Sequence, residues 1–171
     1  LVGSEMCIRD SIDMRADKEQ RRRANYAKHL AEKRAREGYT FDEAYDKMYE
    51  RNYFGMAMVE SGDADAMITG LYTKYSDTIK IAKDVIGIRP EYKHFGTMHI
   101  LNTKRGIYYI ADTLINRMPN AEALADITRL AHHSVKFFND DPVMAMVSFS
   151  NFGSDEGGSP QQVRELSLIH I

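Results

Sequence analysis

The sequence has almost no cysteine, little net charge and no long apolar run. Its 171 residues include a single cysteine, Cys7, and carry a formal net charge of −2. One thiol allows no internal disulfide and no cysteine-ligated metal site. A chain close to neutral argues against a dedicated nucleic-acid-binding or membrane-surface protein. Because no apolar run approaches the roughly 20 residues that span a bilayer, no membrane contact is expected.

Both ends of the chain read as translated sequencing adaptor. Back-translation of residues 1–11 (LVGSEMCIRDS) and of residues 166–171 (LSLIHI) yields a transposase-type adaptor and the reverse complement of its end. Two unrelated peptides that decode to one oligonucleotide indicate an artefact, so both segments are excluded from the fold argument. Cys7 lies in the first of them. Residues 12–165 therefore offer no thiol nucleophile, and we expect them to be an internal piece of a longer reading frame.

An apolar run followed by a loop rich in glycine and serine is the most informative stretch. Residues 143–149 (VMAMVSF) predict a strand buried on both faces. A loop follows, and then Ser159, Pro160 and Gln162 predict a helix N-terminus with Ser159 as the cap. In an α/β sheet such a loop lies where ligands bind, and its hydroxyls and amides suit an anion. An ordinary strand-to-helix connection is the alternative, since no fixed phosphate-loop spacing is present.

Helical spacing dominates the first third of the chain. Residues 14–37 predict a polar helix that ends at Gly38, and its arginines 21–23 are either a solvated face or a phosphate contact. Thr40 and Glu43 form a capping box that predicts a second helix. The apolar residues 52–60 predict a third helix.

A second strand–loop–helix unit is predicted at residues 61–87. Residues 66–69 (AMIT) predict a short buried strand, and Gly70 ends it. Ser76 is expected to cap the following helix, which Gly87 closes. Asp63 and Asp65, just before the strand, are either turn residues or ligands of a divalent metal.

The remaining elements are a hairpin and a long helix. Residues 94–102 and 106–112 predict two strands joined by a hairpin-length loop. Asp112 either points into a ligand cleft or caps the turn that follows it. Asn120 predicts the start of a helix that ends near residue 139. The alternation of helices and strands predicts an α/β fold with parallel strands plus this hairpin.

Four motifs resemble the phosphate acetyl/butyryltransferase family. They are residues 60–66 (ESGDADA), 110–113 (IADT), 121–127 (AEALADI) and 148–154 (SFSNFGS). Working phosphotransacetylases usually carry a lysine where Phe152 stands. This variant, with Tyr75 and Asn116, resembles the C-terminal phosphotransacetylase-like domain of large bacterial NADP-dependent malic enzymes. On that basis residues 12–165 are a partial domain of this family.

The resemblance implies a two-domain α/β fold like that of isocitrate and isopropylmalate dehydrogenases, with the ligand in the cleft between the domains. It implies a cytoplasmic homo-oligomer whose ligand is acetyl-CoA, as an allosteric regulator, or phosphate or acetyl phosphate. NADP, a divalent metal and the conversion of malate to pyruvate would belong to a malic domain outside this sequence. The alternative is an active phosphate acetyltransferase that moves acetyl between CoA and phosphate. The serine–arginine motif of that catalysis lies beyond residue 165.

The same resemblance selects candidate ligand-binding residues and no metal ligands. They are Gly70, Thr73, Lys74, Tyr75, Asp112, Ser150, Asn151, Gly153 and Ser154. The hydroxyls of Thr73, Ser150 and Ser154 would donate hydrogen bonds, as would the backbone amides near Gly153. Lys74 would neutralise phosphate charge.

Overall fold

The computed structural model describes residues 11–138, 141–150 and 154–168 of the chain. These residues form six α-helices and one two-stranded sheet. The chain divides between Gly87 and Ile88 into two compact units, called unit 1 and unit 2 below. Within the described residues, no helix is both long and apolar enough to cross a bilayer.

Unit 1 is helical. Its helices are α1 (Gln20–Lys33), α2 (Phe41–Lys47), α3 (Arg51–Glu60) and α4 (Tyr75–Val85), with single 3₁₀ turns at Asp17–Glu19 and Ala35–Glu37. The helices predicted from residues 14–37, 41 onward and 52–60 are therefore confirmed, the first with shorter bounds.

The four helices of unit 1 share one core. Its larger side chains include Tyr26, Leu30, Met48, Phe54, Ile81 and Val85, each no more than 6% exposed. The rings of Tyr26 and Phe54 meet edge to face, with centroids 5.3 Å apart. Burial of each large side chain contributes about 1.5–3 kcal/mol. Because α3 and α4 both contribute to this core, the loop between them is anchored at each end.

Local signals placed several helix ends correctly. The Oγ1 atom of Thr40 accepts a hydrogen bond from the Glu43 N–H at 3.3 Å, and Glu43 Oε2 accepts from the Thr40 N–H at 3.1 Å, so the capping box is confirmed. Gly87 closes α4 with a φ of 81°, a conformation that favours glycine. The predicted cap at Ser76 is wrong, because α4 already starts at Tyr75 and Lys74 occupies the cap position without a side-chain bond.

The two buried strands predicted from apolar runs are absent from the described residues. Residues 66–69 have no regular structure and Ile68 is 99% exposed, while residues 143–148 are equally irregular and Val143 is fully exposed. A strand forms only when a neighbour pairs with its backbone. The described part of the chain holds no strands besides the hairpin pair, so the predicted parallel strands are wrong for these residues.

Unit 2 contains the hairpin and two helices. Strands β1 (Met98–Thr103) and β2 (Gly106–Ala111) pair antiparallel, with Met98 opposite Ala111 and Thr103 opposite Gly106. The predicted hairpin is confirmed, although β1 begins at Met98 rather than at residue 94. The helices are α5 (Ala121–Phe137) and α6 (Gly158–Ser167).

The two helices of unit 2 differ in how well their starts were predicted. The Asn120 side chain accepts a hydrogen bond from the Ala123 N–H at 2.9 Å, which confirms it as the cap of α5. Ser159 is not the cap of α6, because the helix already begins at Gly158 and Gly157 is at the cap position. Glycine tolerates that position with little loss of stability compared with serine.

Candidate functional site

Four of the predicted ligand residues lie close together in the sequence of unit 1: three in the loop that joins α3 to α4, and Tyr75 as the first residue of α4. Gly70 has a φ of 132°, Thr73 is partly buried, and Lys74 and Tyr75 are exposed. The backbone N–H groups of Gly70, Leu71 and Tyr72 donate no hydrogen bond to another described residue. The loop therefore presents unused donors beside a lysine.

The base of this loop is held by a buried amide. Asn52, on α3, is 4% exposed. Its Oδ1 atom accepts a hydrogen bond from Thr69 Oγ1 at 2.7 Å, and its Nδ2 atom donates to Thr73 Oγ1 at 3.1 Å. The residues on both sides of the segment 70–72 are thus tied to one side chain. Sequence analysis missed Asn52, since an asparagine inside a helix shows nothing of partners 17 and 21 positions away.

The start of α4 adds positive potential to the loop. Lys74 precedes the first residue of the 11-residue helix, and no side chain caps this end. A helix N-terminus carries roughly half a positive charge in the form of unpaired N–H groups. Lys74 and the helix end therefore favour the same kind of ligand, an anion.

A cavity of about 880 Å³ lies beside the loop. Its lining includes residues 67–73 together with Arg15, Glu50 and Arg51. The Arg51 guanidinium lies over the ring of Tyr72, 5.4 Å from its centroid. Tyr72 is 80% exposed and Leu71 84% exposed. Cationic, aromatic and aliphatic groups thus line one cavity.

Of the two residues Asp63 and Asp65, the first makes contacts with α1. Asp63 accepts a hydrogen bond from the Tyr26 hydroxyl, and Arg22 Nε lies 3.9 Å from the same carboxylate. Burial, followed by the bond to Asp63, raises the pKa of Tyr26. The described residues contain no cluster of three or more His, Cys, Asp or Glu side chains that would hold a metal.

Asp112 caps the turn that follows β2. Its Oδ2 atom accepts hydrogen bonds from the Asn116 N–H and side-chain amide, both at 2.7 Å. Its Oδ1 atom accepts from the Thr97 N–H at 3.1 Å and from the Thr97 hydroxyl at 2.5 Å. Burial works against the charged form, but these bonds outweigh it and lower the pKa of Asp112 to about 2.

A histidine–aspartate pair in unit 2 was not predicted from sequence. Asp126 Oδ2 accepts from the backbone N–H groups of Lys93 and His94, and lies 3.0 Å from the His94 ring Nδ1. Burial opposes the charge, yet the bonds from His94 and the backbone lower the pKa of Asp126. The available signal was one acidic residue on the apolar face of α5. The pair fastens the chain before β1 to α5.

The glycine–serine loop is only partly described. Asn151, Phe152 and Gly153 lie outside the described residues. Ser150 Oγ accepts a hydrogen bond from the Asp155 N–H at 3.3 Å, and Ser154 is exposed. Among the described residues no hydrogen bond or ion pair joins either serine to Asp112. The structure thus places Asp112, Ser150 and Ser154 in unit 2 without linking them.

Unit 2 also contains a cavity of about 490 Å³ between β2, α5 and residues 141–146. Tyr109, Val135 and Met146 are among its mostly apolar lining. None of the ligand residues predicted from sequence lines it, so it adds nothing to the predicted anion site.

Comparisons with known proteins agree on a single family. The family described as "Phosphate acetyl/butaryl transferase" matches residues 4–170. The NADP-dependent malic enzyme of Escherichia coli (strain K12) is 37% identical over 136 residues, which are 78% of this chain and 18% of that protein. The phosphate acetyltransferase of Nitratidesulfovibrio vulgaris is 32% identical over 136 residues, 80% of this chain and 19% of that protein.

The fold also matches part of a solved protein. A crystal structure of a phosphotransacetylase from Streptococcus pyogenes superposes with a TM-score of 0.71 at 29% identity, over 94% of this chain and 46% of that one. The chain therefore spans less than half of that phosphotransacetylase and less than a fifth of the two curated relatives.

Proposed function

The chain belongs to the phosphate acetyl/butyryl transferase family, and from this premise we propose that it is part of the phosphotransacetylase-like domain of an NADP-dependent malic enzyme. In this proposal the domain binds acetyl-CoA as an allosteric regulator. The observation that carries it is the greater likeness to a malic enzyme, 37% identity against 32% for a phosphate acetyltransferase over the same length. Malate oxidation, NADP and a divalent metal would belong to a malic domain outside this sequence.

The loop between α3 and α4 supports the binding of a phosphate-bearing ligand. The amides of residues 70–72 have no partner among the described residues, and Lys74 stands at the uncapped N-terminus of α4. Backbone N–H groups next to a helix N-terminus stabilise phosphate oxygens. The phosphates of CoA would bind here, while the neighbouring Leu71 and Tyr72 would contact its less polar parts.

The proposed regulation requires only a modest difference in affinity. A coupling free energy of about 1–3 kcal/mol changes activity or affinity about 5- to 150-fold. Ligand binding alone supplies such an energy, and no acetyl transfer is needed. The two-domain α/β arrangement, the homo-oligomer and the cytoplasmic location remain part of the proposal, as does a contribution from residues 150–154.

The test uses the full-length protein and measures malate-dependent NADP reduction while acetyl-CoA is titrated. We expect inhibition of about tenfold or more and no acetyl phosphate from acetyl-CoA and phosphate. Lys74→Ala should raise the inhibition constant for acetyl-CoA about fivefold, because one phosphate partner is lost. Lys83→Ala, an exposed lysine near the other end of α4, is the matched control and should leave it unchanged. A rate of malate oxidation that does not change when acetyl-CoA is added would refute the proposal.

An active phosphate acetyltransferase is the second candidate. The likeness to the Nitratidesulfovibrio vulgaris enzyme and to the Streptococcus pyogenes structure supports it. In that case the loops would position acyl phosphate, and fixed donors would stabilise the oxyanion of acetyl transfer. Rapid formation of acetyl phosphate by the full-length protein would favour this candidate over the regulatory one.

A further inference from the structure

The buried amide of Asn52 joins two residues of the loop between α3 and α4. Its amide oxygen accepts from Thr69 at 2.7 Å, and its amide nitrogen donates to Thr73 at 3.1 Å. Thr69 and Thr73 bracket Gly70, Leu71 and Tyr72. The bracket sets the span of these three residues, whose N–H groups have no partner among the described residues.

The Thr73 hydroxyl takes part in the bracket through two hydrogen bonds. Thr73 Oγ1 accepts a hydrogen bond from Asn52 Nδ2 and makes a second hydrogen bond with Thr78 Oγ1, 2.9 Å away. Thr78 donates its own proton to the Lys74 carbonyl at 3.4 Å. Both of these hydrogen bonds of the Thr73 hydroxyl are made inside the protein. The backbone amides and Lys74 are further donors of the loop.

We infer that Asn52 is a positioning residue, which holds the amides of residues 70–72 in the arrangement that binds the phosphate groups of acetyl-CoA. The inference rests on the proposed function, because it concerns the same ligand. Asn52 itself is buried and has both ends of its amide occupied, so it acts through the loop. Without the bracket, the loop would have to be ordered at the moment of binding, which costs affinity.

The glycine inside the bracket explains why the loop needs such support. Gly70 has a φ of 132°, and glycine loses more conformational freedom on ordering than any other residue. Leu71 and Tyr72 are 84% and 80% exposed, so they add little packing within the described residues. The amide of Asn52 therefore supplies much of the order at this site.

The experiment measures acetyl-CoA affinity by calorimetry with the full-length protein and three variants. Asn52→Leu removes both bonds and should raise Kd about tenfold, the equivalent of about 1.4 kcal/mol. Thr69→Val removes one bond at an exposed position and should raise Kd about fivefold. Thr69→Ser keeps the hydroxyl and should restore wild-type affinity within about twofold.

Hydrogen exchange separates positioning from general destabilisation. Thr69→Val should speed exchange at residues 70–73 while the melting temperature and the protection of α1 stay at wild-type values. Since Thr69 is exposed, this variant folds even if Asn52→Leu does not. If the wild type binds acetyl-CoA and Thr69→Val binds it with the same affinity, the positioning role of Asn52 is wrong, while the proposed function is unaffected. No binding by the wild type would overturn the proposed function and this inference with it.

Discussion

Replacing Asp112 with asparagine should destabilise the protein at neutral pH but much less in acid. The carboxylate accepts four hydrogen bonds from Thr97 and Asn116, at 2.5 to 3.1 Å. Asparagine keeps one acceptor oxygen. In place of the second carboxylate oxygen it has an NH₂ group, a donor, which would face the N–H and O–H groups that donated to that oxygen. The variant therefore loses bonds that only the charged form of Asp112 can make.

The magnitude follows from the pKa of Asp112, which these bonds lower from 3.8 to about 2. At about 1.4 kcal/mol for each tenfold change in proton affinity, the difference is roughly 2 kcal/mol. Partial solvent exposure screens the interaction, so we expect about 1–2 kcal/mol. Because the folded pKa is the lower one, this stability is complete above the unfolded pKa near 4 and disappears as the pH falls towards 2.

The assay is urea unfolding of wild type and Asp112→Asn at pH 7, 4 and 2.5, followed by circular dichroism. The wild type should be more stable by about 1–2 kcal/mol at pH 7, and the difference should shrink steadily below pH 4. Asp65→Asn, at an exposed position in unit 1, is the control and should change little at any pH. A difference between wild type and Asp112→Asn that stays constant from pH 7 to 2.5 would refute the reasoning.

Two further substitutions test unit 1 by urea unfolding at pH 7. Thr40→Ala should lower the free energy of unfolding by about 1 kcal/mol because α2 loses its cap, whereas Thr40→Ser should not; equal effects would contradict the capping role. Arg23→Lys should lower the free energy of unfolding by about 2 kcal/mol. The buried guanidinium donates hydrogen bonds to the carbonyls of Met14 at 2.5 Å and Ala16 at 2.9 Å. It also lies 4.7 Å from the Tyr49 ring centroid. A loss under about 0.5 kcal/mol would show that a lysine replaces these contacts.

Short-range signals predicted helix caps and the hairpin turn correctly, because the interacting residues are close in sequence. The partners of the Thr40–Glu43 box and of the Asn120 cap are three positions apart, and the turn between β1 and β2 is equally local. The same signals gave the wrong first residue where a helix could begin at either of two positions one or two residues apart. Ser76 and Ser159 are good caps, yet α4 and α6 begin before them.

Apolar runs predicted strands that the described residues do not form. Residues 66–69 and 143–149 have the composition of buried strands. Composition indicates which side chains gain from burial, but a strand also needs a neighbouring strand to pair with. Ile68 and Val143 are fully or almost fully exposed because the described chain provides neither a partner strand nor a covering surface for them.

The amino-acid sequence alone determined the family through four short motifs, and it determined the capping box of α2, the cap of α5 and the hairpin. Each of these signals depends on residues within a few positions of one another. Only the tertiary structure showed that Asn52 brackets the loop before α4, that Thr73 is engaged inside the protein and that Asp126 holds His94. Those partners lie 17 to 32 positions apart. Bonds of that range form only after packing brings the elements together, and no local pattern records them.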